Sequence, residues 1–395
     1  MTITASRLRA VLQTVTKATK PSKHFASLNH CRIESDRYGR IRATANDLDV
    51  AIRIAEIGGR ASRFDFAESA TYLETRDLLG VTTGIWKANH DASINLADDG
   101  AVSAPGVSAR VSAITADEFQ DIDWTHGGKV EQSVTFSHEG YRHASFVESL
   151  GIVETCVDDA ESRFCLHSML IQPDTEGDYW HIVATDGHRL AARKEQSTES
   201  LGELKSFLLP ASIARAILAI CPTKKAHQLT IDVSETMVSC TTEISGLQIN
   251  IAAKRETGTF PDWQQVWPKD LDICLKVDHA DLISALETLK SATGKPSERH
   301  RACVAIDIST DLTATFSTGF ENGRASCTKK LLSSNPTNLW GPIKVGGSWS
   351  YLRDAAAAYS DNSITDIKLK VNQDGEVRSA ILLNDEYLLM PMRLS

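Results

Sequence analysis

The densest run of chemically capable side chains is Ile182-Val183-Ala184-Thr185-Asp186-Gly187-His188-Arg189-Leu190-Ala191, where a carboxylate and an imidazole stand two residues apart. Such a pair can ligate a metal or pass protons as acid and base, which would make the chain a metal-dependent hydrolase acting through Asp186 and His188. The same run also has a reading that needs no catalysis. Asp186-Gly187 follows a β-branched stretch and precedes Leu190-Ala191, a strong signal for a tight turn. No HExxH, GxSxG, GxxxxGK[ST] or GxGxxG pattern occurs to complete an active site. Cys31, Cys156, Cys165, Cys221, Cys240, Cys274, Cys303 and Cys327 never come closer than nine residues, which removes every CxxC zinc or redox spacing. They read as small buried hydrophobes in a reducing compartment. The expectation is a protein without catalytic residues, metal or cofactor.

A second unusual stretch is the tail, Tyr387-Leu388-Leu389-Met390-Pro391-Met392-Arg393-Leu394-Ser395, apolar almost to the last residue. Chain ends usually carry polar residues. A Met-flanked proline can finish a core strand, and two polarizable thioethers beside a turn equally suit an adaptable binding surface.

These residues need a scaffold to position them. With 395 residues, 42% apolar and 24% charged, the chain has material for two to three globular domains. Its longest apolar runs, such as Ala216 to Cys221, fall far short of the roughly 18 residues of a membrane span. Met1 to Val15 reaches Arg7 and Arg9 without the apolar segment of a secretion signal, so a cytoplasmic address and no membrane partner are expected.

The net charge of -9 argues against a protein coated in basic surface, yet its cations are clustered. Residues 1 to 33 hold Arg7, Arg9, Lys17, Lys20, Lys23 and Arg32 and no carboxylate. In that segment Leu8, Val11, Leu12 and Val15 fall at helical spacing, with Arg9, Lys17 and Lys20 projected from the other side. Lys205 to Ile231 repeats the arrangement with Arg215, Lys224 and Lys225, and Lys290, Lys295, Arg299 and Arg301 form a third cluster. Three clusters on helix-like segments point to a segregated positive surface.

The helical pattern itself recurs. Leu282, Ala285, Leu286 and Leu289 reproduce the spacing of Leu8, Val11, Leu12 and Val15, and Phe146, Leu150 and Val153 give a weaker copy with Ser149 in the second place. A second helix-like stretch follows each, at Glu74 to Val81, Ala211 to Ile220 and Ser350 to Tyr359. Each copy closes on an alternating strand: Val107, Ala109, Val111, Ala113; then Leu247, Ile249, Ile251; then Tyr387 to Met390. The sequence therefore predicts an α+β chain of three repeated domains, 1–128, 129–271 and 272–395.

The combination of Val183-Ala184-Thr185-Asp186-Gly187-His188-Arg189-Leu190-Ala191 with Met390-Pro391-Met392-Arg393-Leu394 resembles the bacterial beta sliding clamp family, the processivity subunits of replicative DNA polymerase. Asn46-Asp47-Leu48-Asp49, Asp117-Glu118-Phe119 and Phe260-Pro261-Asp262-Trp263 extend the likeness over nearly the whole chain. The resemblance implies three clamp domains per chain, each two helices packed on antiparallel sheets. It further implies a head-to-tail homodimer forming a six-domain ring around double-stranded DNA, without sequence specificity. Implied partners are the replicative polymerase, a clamp loader and repair proteins, which insert short linear peptides into a hydrophobic groove.

By motif position that groove comprises Leu166, Thr185, Gly187, His188, Arg189, Leu190, Pro261, Val266, Met390, Pro391 and Met392. The DNA-facing cations implied are Arg9, Lys17, Lys20, Lys23, Arg215, Lys224, Lys225, Lys290 and Lys295. Gln265 stands where the best-known members carry arginine, Cys165 replaces an aromatic, and Ser395 extends the tail. These departures admit a specialised or second-copy clamp-like scaffold as the alternative within the class.

Overall fold

A computed structural model describes the chain apart from residues 58–65, 122–126, 138–144, 159–163, 175–177, 198–200, 202, 223–227, 295–300, 321–322, 336–340, 361, 372–376, 378 and 395. Six α-helices occur among the described residues, two in each predicted repeat: α1 Ala5–Ala18, α2 Thr75–Ala88, α3 Phe146–Glu154, α4 Ala211–Ile220, α5 His279–Leu289 and α6 Trp349–Ala358. The apolar positions that predicted them are the ones buried. Leu8, Val11, Leu12 and Val15 of α1 and Leu282, Ala285, Leu286 and Leu289 of α5 lie in the core, as do Phe146, Ser149, Leu150 and Val153 of α3. Carboxylates start two of the helices: Glu74 accepts the Asp77 amide at α2, and Asp278 accepts the Asp281 amide at α5. Helix α2 outruns its predicted end at Val81 because Thr82 and Ile85 continue the buried stripe.

The chain divides into two compact units. The first comprises Met1–Leu150, Gln172–Tyr179 and Glu195–Thr257. Its main antiparallel sheet runs in the order Phe66–Glu74, His30–Asp36, Ile41–Asn46, Ala51–Glu56, Leu247–Lys254, Met237–Ile244, Gln228–Ser234 and Val130–Ser137. Four of these strands come from the first repeat and four from the second. They join where Ala51–Glu56 pairs with Leu247–Lys254, with Glu56 opposite Leu247 and Ile52 opposite Ile251. Helix α1 packs against both α2 and α4, so one basic helix touches a helix from each of the first two repeats.

A smaller sheet of this unit, Thr2–Thr4, Ser93–Leu96, Ala101–Ala104 and Val107–Arg110, ends on the outer strand Val107–Arg110. The sequence predicts alternation through Ala113, but the strand stops at Arg110 and Ala113 makes an isolated bridge to Leu73. Gly100 explains the bend. It sits at φ +83°, and a Cβ there would lie 2.1 Å from the Val111 carbonyl oxygen, so only glycine allows the chain to pass this closely.

The second unit comprises Gly151–Ile171, Trp180–Lys194 and Gly258–Ser395. In its larger sheet the C-terminal strand Tyr387–Leu389 lies between Arg189–Gln196 and Ile381–Leu383, followed by Ile364–Leu369, Ile273–Asp278 and Ser333–Asn335. A four-stranded sheet, Gly323–Lys330, Thr313–Phe320, Cys303–Ile308 and Ile343–Ser348, is covered by α5. Helix α6 packs on α5, where the buried Trp349 indole N–H donates to the Leu286 carbonyl at 2.8 Å.

Candidate functional site

The Thr185–Leu190 run folds as the tight turn. Gly187 takes φ +84°, its amide donates to Thr185 Oγ1 at 3.1 Å, and the Thr185 hydroxyl donates to the Arg189 carbonyl at 2.7 Å. Asp186 Oδ1 accepts the amides of His188 at 2.8 Å and Arg189 at 2.9 Å, while Oδ2 accepts Arg189 Nε at 3.0 Å. Both carboxylate oxygens thus hold the turn. The His188 ring lies instead over Tyr351, with centroids 6.4 Å apart. Among the described residues no group of three or more His, Cys, Asp and Glu side chains could hold a metal ion. The Asp186–His188 hydrolase reading is therefore not favoured: Asp186 is spent on turn geometry and does not aim at His188 as an acid–base partner.

The same turn occurs in the first unit. Asp47 Oδ1 accepts the amides of Asp49 at 3.2 Å and Val50 at 3.0 Å, and Leu48 takes φ +77° where the second copy has glycine. The internal repeat thus reaches individual hydrogen bonds.

Emerging from its turn, Arg189–Gln196 pairs antiparallel with the C-terminal strand, setting Arg189 opposite Leu389, Leu190 opposite Leu388 and Ala191 opposite Tyr387. The Met390 amide donates to the His188 carbonyl at 2.9 Å and the Met392 amide to the Gly346 carbonyl at 2.8 Å. The sequence's two unusual stretches are therefore one construction, in which the tail forms a wall beside the turn. Between them lies a cavity of about 300 Å³ lined by Cys165, Leu166, Thr185, Gly187, Arg189, Leu190, Pro261, Asp262, Trp263, Val266, Leu388 and Met390. Its walls are mainly apolar and its rim is open, with Val266 46% and Met390 38% exposed.

Eight of the expected groove residues line this cavity: Leu166, Thr185, Gly187, Arg189, Leu190, Pro261, Val266 and Met390. His188, Pro391 and Met392 do not. His188 serves through its carbonyl, Pro391 is exposed, and Met392 anchors the tail to Gly346. The expected list lacks Cys165, Asp262, Trp263 and Leu388, although all four stand at positions or in stretches named for other reasons. Trp263 is buried, edge-on to Trp267 and tilted against His181.

Arg189 is the most constrained polar group of the site. Its Nη1 donates to Asp354 Oδ2 at 2.8 Å and to the Tyr387 hydroxyl at 3.3 Å, and its Cζ lies 4.4 Å from the Tyr351 ring centroid. Tyr387 also meets Thr155 Oγ1 at 3.0 Å. Burial acts to lower the Arg189 pKa, but the neighbouring Tyr387, Cys156, Asp354 and Asp186 outweigh it and the net shift is upward. Burial likewise raises Tyr387 well above the ordinary phenol value and pushes Cys156 up to about 12. The guanidinium is a fixed cation among neutral groups and two carboxylates.

The expected DNA-facing cations are placed differently from one another. Lys17, Lys20 and Lys23 are exposed at and beyond the C-terminal end of α1. Arg9 lies on the flank of the helix, its guanidinium 4.0 Å over the Trp86 ring, which in turn stacks on His90. Arg215 is half-buried on α4. Lys290 is exposed and pairs with Glu287 at 3.1 Å. Lys224, Lys225 and Lys295 lie outside the described residues.

Repeated helix pairs on antiparallel sheets, with a groove walled by the chain's own C-terminal strand, are the features by which this fold can be classed. Comparison with known proteins makes the class particular: it is the bacterial beta sliding clamp, or DNA polymerase III beta subunit, that this chain resembles in fold over its whole length. Its sequence is 22% identical over 212 residues to a Staphylococcus aureus beta sliding clamp, covering 52% of this chain and 53% of that protein, so the alignment spans about half the length of that relative. It is 21% identical over 319 residues to the beta sliding clamp of Synechococcus elongatus, 77% of each chain. No family model matches. Among solved structures, a Bartonella birtlesii sliding clamp bound to griselimycin superposes with a TM-score of 0.79 at 18% identity, and the Thermotoga maritima DNA polymerase III beta subunit with 0.77 at 17%. Each covers 100% of this chain and 99% of the other.

Proposed function

We propose that this chain is a non-catalytic DNA sliding clamp of the cytoplasm. Its three domains, 1–128, 129–271 and 272–395, pair head to tail with those of a second copy and enclose double-stranded DNA without reading its sequence. Replicative polymerase, clamp loader and repair proteins dock short linear peptides in the groove walled by Met390. The observation that carries the reading is the match of the clamp fold over the whole chain, since encirclement depends on complete repeats. The net charge of -9 fits a protein that does not bind DNA over its whole surface, while exposed lysines such as Lys17, Lys20 and Lys23 can supply exchangeable phosphate contacts.

Among the outer strands of the described sheets, Val107–Arg110 in the first unit and Gly323–Lys330 in the second are the pair assigned to closure, each with one side of its backbone unpaired in its sheet. Pairing such edges between copies makes a heterologous contact, which closes when repeated twice. Light scattering across micromolar concentrations is expected to give twice 43.2 kDa. Ser108→Pro on the outer edge is expected to shift the mass toward the monomer by removing a donor. A monomeric native protein that stays on circular DNA would contradict the ring.

A further inference from the structure

We infer that Phe25 stacks on an unpaired base of DNA, so that the loop after α1 holds single-stranded DNA through its bases as well as its phosphates. The choice of DNA as the partner rests on the clamp reading. The loop, residues 19 to 25, and the short 3₁₀ turn Ala26–Asn29 that follows it are shaped by their own hydrogen bonds. Ser22 Oγ accepts the amides of His24 at 3.3 Å and Phe25 at 3.0 Å. Asn29 Oδ1 accepts the Ser22 amide at 2.8 Å, and Asn29 Nδ2 donates to the Ser22 carbonyl at 3.0 Å. The Phe25 carbonyl accepts the Leu28 amide at 3.1 Å. With the backbone held this way Leu28 enters the core, whereas Phe25 stays 52% exposed. Its ring makes no aromatic or cation–π contact among the described residues, which leaves ring surface for a partner.

The charges around the ring select that partner. Lys17, Lys20, Lys23 and His24 are exposed, and the three lysines form no ion pair among the described residues. No carboxylate occurs in residues 1 to 33. Cations that track phosphate beside an exposed aromatic are the combination that holds a single strand, and every base offers a π-face to it. Inside an intact duplex both faces of a base are covered by its neighbours, so the stack requires an unpaired base. Tyr38 provides a contrast on the same unit. It is 66% exposed, but the Arg37 and Arg40 guanidinium carbons lie 4.9 and 5.4 Å from its ring centroid, so its ring already has cationic neighbours. The Phe25 loop therefore responds to whether a strand is paired, without reading its sequence.

The test uses the full-length protein and three fluorescent oligonucleotides of about twelve nucleotides, the scale of a single-strand site: oligo-dT, the same backbone with abasic sites, and a blunt duplex. All are short and linear, so encirclement contributes nothing. Binding is read by fluorescence polarisation at low salt. Phe25→Ala is expected to weaken oligo-dT about tenfold and to leave the abasic strand and the duplex unchanged. Phe25→Tyr should keep the wild-type affinity, and Phe25→Leu, apolar but without a π-face, should not. The salt slope should be the same in Phe25→Ala, because no phosphate contact is lost. Tyr38→Ala should bind oligo-dT as the wild type does. Equal weakening on all three DNAs, an equal loss in Tyr38→Ala, or oligo-dT binding that is absent or indifferent to Phe25 would overturn the inference. So would a Phe25→Ala defect confined to phosphatidylglycerol vesicles, which would assign the loop to a lipid surface. Wild-type retention on circular DNA alongside any of these results leaves the ring standing. A Phe25-dependent hold on oligo-dT by a protein that leaves circles would instead keep the inference and remove the ring.

Discussion

Deleting Met390 to Ser395 is expected to abolish capture of apolar peptides while leaving the dimer intact. Met390 lines the cavity directly, and losing this partly exposed side chain, which a docked peptide would cover, costs on the order of 1–2 kcal/mol, or roughly five- to thirtyfold in affinity, before the displaced tail is counted. The deletion also removes the Met390 and Met392 amides that bond His188 and Gly346. A single substitution should reproduce part of the effect. A Cβ on Gly346 would sit 2.5 Å from the Met392 carbonyl oxygen, a backbone atom that cannot swing aside, and 3.0 Å from Cys303 Sγ. Gly346→Ala is therefore expected to displace the tail and lower stability by about 1–3 kcal/mol, measured by chemical unfolding, with weaker peptide binding alongside. Unchanged peptide affinity after the deletion would move the docking site elsewhere, and loss of the dimer would mean that the tail serves closure.

Reversing Lys17, Lys20 and Lys23 to Glu together should flatten the salt dependence of DNA binding by up to about three log units per log unit of salt, if all three meet phosphate. These three are the set to reverse because they are exposed at the end of α1 and just beyond it, whereas the other two cations of that helix are engaged. Arg7 bonds Glu56 and the Gly39 carbonyl, and Arg9 is laid on Trp86. What remains exposed is the end of α1 and the segment after it, where the Lys20 amide is tied to Asp47 Oδ2 at 2.8 Å and the chain is held near the turn. No sequence preference should appear, since none of these contacts reaches base edges. An unchanged salt slope in the triple variant would show that this face points away from DNA.

The helices were legible because burial at i, i+3, i+4 and i+7 leaves a local mark, and Leu8, Val11, Leu12 and Val15 are all in the core. Arg9 departs from the expected placement opposite the apolar stripe. At 100° per residue it lies on the flank and not opposite the apolar stripe, and the neighbouring α2 supplies Trp86 to hold it. The joining of Ala51–Glu56 to Leu247–Lys254 had no local mark at all, since strand register across so much sequence depends on which faces become buried. The groove was half visible. Its turn and tail are contiguous motifs, but Asp354 and Tyr351 reach Arg189 from a helix whose apolar pattern records only its own packing.

Encirclement is the claim on which the rest depends, and retention on DNA of different topology tests it most directly. The purified protein is loaded onto nicked circular DNA, a matched sample is linearised, and both are passed through a sizing column in high salt. A closed ring remains with the circle and runs off the linear ends, because its hold is topological and the phosphate contacts are screened. Equal retention on both forms, or loss from both as salt rises, would show a protein that binds DNA by surface charge alone and would contradict the account.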